Sequence, residues 1–418
     1  MSDPKHDPYI ALRQPEFRWY VTAKLLITIY IQIQSVVVGW QLYELTNDVF
    51  SLGLIGLIEA VPALSVSLFA GYVADHYNRR RIVQYCYILM LISVSILFLF
   101  AYKQTEILLV LGVFPIYIAV FLNGLARGFA SPSSFALMTQ LVPKEAYINS
   151  SSWNSTIWQF GAISGPAIGG LLYGFAGAVA AYSTAASLVI IAFVALLFIK
   201  NRPLPPPKNA NITIWQSIRE GLTYVRHQPI ILSAISLDLF AVLFGGAVAL
   251  LPVFAKDILH VGAEGLGFLR AAPAVGAGIM AFVLAYQPPM RFAGRNLLWA
   301  VAGFGLATIV FALSANFYLS LGALFMIGLF DSISVVIRTT IMQLYTPDDM
   351  RGRVSAVNSM FIGSSNEIGA FESGAAAALL GIVPSVIFGG AMTLLVVAVA
   401  YYKAPTLKKL SFKDAENK

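Results

Sequence analysis

Apolar residues in this chain neither alternate with polar ones nor mark a single helical face. They run on for about twenty positions, stop at a short polar turn, and begin again. Twelve such runs can be laid out, at residues 19–43, 52–74, 82–102, 107–129, 152–175, 179–199, 230–254, 263–286, 296–313, 317–345, 354–380 and 384–402. A helix needs about 20 mostly apolar residues to cross the hydrocarbon core of a bilayer. Inside that core every backbone N–H and C=O has to be satisfied within the segment. The pattern therefore predicts an all-α membrane protein with twelve transmembrane helices. The third, ninth and twelfth runs hold no Asp, Glu, Lys or Arg and read as helices that face lipid.

One segment breaks the rhythm. Residues 201–228 open with Pro203-Leu-Pro-Pro-Pro207 and continue as an amphipathic stretch, roughly 212–226, with Ile214, Ile218, Leu222 and Val225 on one face. Such a stretch suits a helix lying on a membrane surface. It falls between the sixth and seventh runs. The expected organisation is a six-helix bundle at 1–200, a linker with an amphipathic helix at 201–228, and a second six-helix bundle with a short tail at 229–418.

Charge gives the orientation. Twelve crossings put both termini on one side. With the termini in the cytoplasm, 22 of the 27 Lys and Arg residues fall on the cytoplasmic side, Lys103 and Lys256 fall opposite, and Arg127, Arg270 and Arg338 lie within the runs. Basic residues concentrate in cytoplasmic loops, so cytoplasmic termini are expected. The net charge of +7 then reports topology, and no nucleic-acid partner is implied. Only 11% of the residues are charged, against about 25% in soluble domains. A single cysteine, Cys86, excludes an intramolecular disulfide and a multi-Cys metal site. The first run is a full span without a small-residue cleavage site, which predicts a retained helix and no signal peptide.

The two parts of the chain look related. Gly53-Leu-Ile-Gly56-Leu-Ile-Glu59-Ala-Val-Pro62 can be laid on Gly265-Leu-Gly267-Phe-Leu-Arg270-Ala-Ala-Pro273. Met138-Thr-Gln-Leu-Val-Pro143 matches Met342-Gln-Leu-Tyr-Thr-Pro347, and the same offset of 204 pairs Asn154-Ser155 with Asn358-Ser359, Gly165 with Gly369, and Gly170 with Gly374. Duplicated six-helix halves imply a pseudo-two-fold axis along the membrane normal, with a site where the halves meet.

The turn between the second and third runs reads Gly71-Tyr-Val-Ala-Asp75-His-Tyr-Asn-Arg79-Arg80-Arg81. With Gly165-Pro166-Ala-Ile-Gly169-Gly170 in the fifth run, it resembles the major facilitator superfamily over nearly the whole chain. The first-loop motif matches at Gly71, Asp75, Arg79 and Arg80. Arg127 sits near that family's buried arginine of the fourth helix, although the following Gly128-Phe-Ala-Ser-Pro132 departs from the usual glycine-rich sequel. More narrowly, Val38-Gly39-Trp40-Gln41-Leu42-Tyr43-Glu44-Leu45-Thr46, Arg351-Gly-Arg-Val354 and Ser365-Asn-Glu367-Ile-Gly-Ala-Phe-Glu372-Ser-Gly374 are similar to the drug:proton antiporter branch, which includes siderophore and macrolide exporters. The resemblance implies two pseudo-symmetric six-helix bundles and a central cavity lined by helices 1, 4, 7 and 10. It also implies a cytoplasmic gate in which Asp75 meets the start of the eleventh helix. A purely topological or headgroup-binding role for Arg79 to Arg81 stands beside that reading.

Ionisable residues deep in a span are costly and mark function. Glu59, Arg127, Asp238, Arg270, Asp331, Glu367 and Glu372 qualify, and Arg338 lies nearer one end. A proton-coupling site needs a carboxylate whose affinity for protons an arginine can change by moving. Asp238 is the first choice because its own run offers no basic neighbour, followed by Asp331, Glu372 and Glu367. Arg127 and Arg338 are the cavity charge partners, and static ion pairs are the structural alternative for all of them. Glu59 and Arg270 occupy equivalent positions in the second and eighth runs and are outer-gate candidates. Gln32, Gln34, Trp40, Asn123, Trp158, Gln159 and Asn366 are candidates for substrate contact or for interhelical hydrogen bonds. No phosphate-binding loop, HExxH or Cys/His cluster is present, so no metal, cofactor or enzyme activity is expected. The reading is a monomeric, proton-coupled exporter of an amphipathic small molecule, drug-like or siderophore, in a bacterial cytoplasmic membrane. Uptake, lipid flipping and a transport-inactive sensor or scaffold are the alternatives.

Overall fold

The computed structural model describes residues 9–202, 214–286, 292–347 and 350–412. The side chains of Gly71, Asp75, Ile214, Ile218 and Arg351 are outside that description, as are the Pro203–Pro207 stretch, Lys5, Lys208, Arg291, Lys413 and Lys418. The described chain is built from helices: α1 (Pro15–Thr46), α2 (Val49–His76), α3 (Arg79–Tyr102), α4 (Gln104–Leu111), α5 (Phe114–Leu141), α6 (Tyr147–Leu197), α7 (Ile214–His227), α8 (Pro229–Phe244), α9 (Leu251–Val253), α10 (Gly262–Tyr286), α11 (Ala293–Leu313), α12 (Phe317–Tyr345), α13 (Arg351–Leu380), α14 (Ile382–Lys403) and α15 (Pro405–Lys408).

Ten helical segments among the described residues are long and apolar enough to cross a membrane. Two features account for the difference from the twelve runs in the sequence. The fifth and sixth runs are joined in one segment, Lys144–Leu197, of 54 residues. As one straight helix at 1.5 Å per residue it would measure about 80 Å, far more than a bilayer core of about 30 Å. Its backbone turns at Gly177, where φ is 78°; only glycine adopts that conformation readily. The eleventh run corresponds to α13, 30 residues long but diluted by Arg353, Glu367, Glu372 and several serines. The fourth run begins later than its hydropathy suggests. Residues 107–111 belong to α4, which has no buried residue and ends at Gly112 with φ 57°, and the spanning helix starts at Phe114.

The helices form two compact units, residues 1–38 with 61–210, and residues 39–60 with 211–418. In the first, small residues let α6 approach α1. A Cβ on Gly165 would stand 2.6 Å from Gln32 Cβ, and one on Gly169 would stand 3.0 Å from the Ile33 Cα. In the second, Gly369 of α13 lies against the Leu243 and Val242 carbonyls of α8, at 2.9 and 3.0 Å from the position of a Cβ. The repeat that aligns Gly165 with Gly369 is thus also a repeat of packing, since the same glycine seats its helix on the first helix of each repeat.

The seventh run is not one continuous helix. After α8 come Gly245 and Gly246, a 3-10 turn at Ala247–Leu250, α9, and a π turn at Phe254–Ile258. A Cβ on Gly246 would meet Ser373 Oγ at 2.5 Å and the Gly369 carbonyl at 2.7 Å. The break therefore sits where α13 presses closest. The linker helix α7 is held by protein on one side. Val225 is buried in the core shared by α8, α11, α12 and α13, Tyr224 donates to the Tyr345 carbonyl at 2.7 Å, and Glu220 pairs with Arg353 at 2.7 Å.

Candidate functional site

The buried charges converge in the second unit. Asp238 sits on α8 two turns before the glycine break. Arg338, a hundred residues away on α12, reaches it with Nη1 2.5 Å from Asp238 Oδ2, and both side chains are buried, at 6% and 7% exposure. Asp331 lies on the same face of α12, seven residues before Arg338, and its charge acts on both partners. Two carboxylates and one guanidinium leave the cluster one positive charge short. Buried charges are tolerated only when paired; Asp238 and Arg338 meet that condition, while Asp331 is partly buried. Ser334 Oγ and Arg338 Nε, one helical turn apart, have no hydrogen-bond partner among the described residues.

The other intramembrane carboxylates, Glu367 and Glu372, are half-buried on α13, and Arg127 is half-buried at the middle of α5. The candidate contact residues separate by exposure. Gln34 donates to Ser93 Oγ at 3.3 Å, Ser93 donates to the Ala119 carbonyl at 2.7 Å, and the Tyr30 hydroxyl bonds Asn123 Oδ1 at 3.3 Å. These residues tie α1 to α3 and α5. Gln32 stands in the α1–α6 seam, and Trp40 is buried. Gln159 is half-buried, with an Oε1 that has no partner among the described residues. Trp158 is 54% exposed, and Asn366 is exposed with its amide turned back to the Ile362 carbonyl at 2.8 Å.

The α1–α2 hairpin tip, residues 39–60, belongs to the second unit. There Glu59 and Arg270 are brought within each other's field. A second set was not foreseen from sequence. The Tyr43 hydroxyl donates to Asp257 Oδ2, Lys256 Nζ donates to Asn47 Oδ1 at 2.7 Å, and the Lys256 ammonium stands 5.1 Å from the Tyr43 ring centroid. The π turn at Phe254–Ile258 carries both Lys256 and Asp257. The available signal was Lys256 itself, one of two basic residues set apart by the charge census. Beside it, Asp48 caps α2 by accepting from the Phe50 and Ser51 amides at 3.1 and 3.0 Å. The Ser51 hydroxyl, at 2.6 Å, is the main reason the Asp48 carboxyl lies below its usual range.

The arginine loop closes helix ends within the first unit. Arg79 donates to the Ala74 carbonyl at 3.0 Å and the Ala136 carbonyl at 3.2 Å. Arg80 donates to the Leu196 and Leu197 carbonyls at 2.9 and 3.1 Å, and to Asn201 Oδ1 at 3.3 Å. Cations suit the negative ends of helices, where carbonyls lack partners. Among the described residues no group of three His, Cys, Asp or Glu could hold a metal ion.

Long apolar helices, a duplicated packing scheme and buried charge inside one unit define a multi-pass membrane transporter. The profile of the Major Facilitator Superfamily matches residues 21–370, and the chain belongs to that family. It is 25% identical over 370 residues to the enterobactin exporter EntS of Shigella dysenteriae serotype 1 (strain Sd197), covering 88% of this chain and 86% of that one. The same figures hold for EntS of Escherichia coli O1:K1 / APEC. In fold it is similar to the nucleoside transporter NupG (D323A mutant), with a TM-score of 0.75, 10% identity, and coverage of 93% of this chain and 99% of that one. It is also similar to a bacterial homolog of the human lysosomal transporter Spinster, with a TM-score of 0.72, 13% identity, and coverage of 96% and 98%.

Proposed function

We infer that this protein is a secondary active exporter that moves an amphipathic small molecule outward in exchange for protons. The observation that carries the reading is the buried Asp238–Arg338 ion pair with the partly buried Asp331 on the same helix as Arg338; two carboxylates sharing one guanidinium suit a site that takes up and releases a proton. The similarity to enterobactin exporters supports a siderophore-like cargo, and drug-like compounds share the same amphipathic character.

Twelve crossings follow if Lys144–Leu197 is counted twice at its Gly177 break and α13 is added. Cytoplasmic termini then agree with the distribution of Lys and Arg. In this reading the halves 1–200 and 229–418 alternate access to the cargo. Asp238 and Asp331 lead the coupling and Glu367 and Glu372 are secondary. Arg127 faces the cargo path with Trp158 and Asn366, while Gln32, Gln34, Trp40 and Asn123 shape it from behind. Gly71, Asp75, Arg79 and Arg80 form the cytoplasmic gate, and Glu59 and Arg270, now joined by Tyr43, Asp257, Lys256 and Asn47, form the outer one. The membrane is a bacterial cytoplasmic membrane.

Everted vesicles carrying the protein test this directly. With enterobactin as the probe, accumulation is expected when an inward-acid gradient is imposed and is expected to collapse with a protonophore. Equal accumulation with and without the gradient would sink the coupling.

A further inference from the structure

Arg338 has one strong partner, Asp238, yet its Nε is buried and lacks an acceptor among the described residues. One turn away, the Ser334 hydroxyl is 2% exposed and equally without a partner. A buried N–H without an acceptor and a buried hydroxyl without a partner are each costly. Both stand on the face of α12 that also carries Asp331. They are complementary, since a guanidinium can only donate and a hydroxyl can accept. Each such group in a native structure calls for an explanation, and an arrangement that joins the two supplies one.

We propose that Ser334 is the positioning residue that receives the Arg338 guanidinium when Asp238 takes up a proton. This rests on the proton-coupled reading above and names the residue that would make it reversible. The proton comes from the aqueous phase and forms an O–H bond on an Asp238 carboxylate oxygen. No other covalent bond changes, and Arg338 keeps all its protons. The cluster then carries one positive charge, on Arg338, and one negative charge, on Asp331. The guanidinium turns its Nε to Ser334 Oγ and its charge toward Asp331. Loss of the proton restores the Asp238 carboxylate and draws Arg338 back.

Arg338 and Asp331 are the charges that act on Asp238, and Arg338 is the charge that acts on Asp331. Among the described residues, the remaining charged or His side chains on the helices packed against α8 and α12 are Glu264 and Arg270 on α10, Arg295 on α11, Arg353, Glu367 and Glu372 on α13, Arg219, Glu220, Arg226 and His227 on α7, Lys403 on α14 and Lys408 on α15. Of these, Arg353 is committed to Glu220 and Arg270 to the field of Glu59.

The test needs no cargo. The full-length protein in a lipid film is titrated while infrared spectroscopy follows the carbonyl stretch of protonated carboxylic acids. Wild type is expected to show a pH-dependent band that Asp238→Asn removes. Ser334 favours the proton-loaded arrangement, so Ser334→Ala is expected to move the midpoint to lower pH by about 1 to 2 units, the equivalent of one hydrogen bond from a charged group. Ser334→Thr keeps the hydroxyl and is expected to restore the wild-type midpoint. Ser334→Cys, close in size with a weak acceptor, serves if the alanine variant does not fold, and it is expected to fall between. An unchanged midpoint in Ser334→Ala or Ser334→Cys, or a band that persists in Asp238→Asn, overturns the proposal. The expected midpoint shifts in these variants, combined with vesicle flux that ignores the gradient, would overturn the exporter reading alone.

Discussion

Arg338 and Asp238 illustrate how much a single contact can decide. Each is nearly inaccessible to solvent, and each is the other's main compensation. Truncating one partner leaves a lone buried charge and costs about 3–5 kcal/mol, whereas replacing both with apolar residues of similar size is often neutral. Arg338→Met is therefore expected to lower the unfolding temperature in detergent sharply, and Asp238→Leu/Arg338→Met to recover most of the loss while remaining inactive in transport. Equal stability for the single and double variants would contradict the pairing. The sequence exposed both residues as charges inside apolar runs, but not their meeting. Which side chains touch across two helices depends on the rotation of each about its axis, and hydropathy carries no record of that. Tyr43 escaped notice for a related reason: a tyrosine near a helix end is common, and its partner Asp257 is positioned by a π turn that no residue pattern announces. Tyr43→Phe is expected to expose the hairpin tip. A cysteine placed at Asn47 in a Cys86→Ser background should then react faster with a membrane-impermeant thiol reagent. An unchanged rate would show that the Tyr43–Asp257 contact does not hold the hairpin tip.

At the scale of elements, most helices were legible because length and apolarity are themselves what lipid demands. The departures have local causes. Gly245 and Gly246 break the seventh span where α13 presses against it, and the apolar residues 107–111 are drawn off into α4. The chain end shows the opposite effect. The sequence reads as a short cytoplasmic tail after the last span, and within it Leu407, Leu410 and Phe412 are buried. The Gly294 amide also donates to the Leu410 carbonyl at 3.2 Å, and α15 closes over the start of α11 because Gly294 leaves room for it. Burying each such side chain is worth about 1.5–3 kcal/mol. Truncation after Lys403 is expected to lower the thermal midpoint of purified protein by several degrees. A truncated protein as stable as the full chain would show that these contacts contribute little.

For the whole molecule, duplication is the organising fact. The offset of 204 that aligns Gly165 with Gly369 reappears as α6 seated on α1 and α13 seated on α8. The charge at the heart of the account is not duplicated. Arg127 and Asp331 are equivalent positions of opposite sign, and the Asp238–Arg338 pair belongs to the second unit alone. Under the proposed function, the second half responds to protons and the first faces cargo. The most direct measurement of this claim is proton movement on addition of cargo to proteoliposomes containing a trapped pH indicator. Enterobactin added to wild type is expected to drive protons opposite to its own movement. Asp238→Asn and Asp331→Asn are each expected to cut that proton flux at least tenfold while leaving the protein folded. Full proton counterflow in the Asp238→Asn/Asp331→Asn double variant would contradict the account.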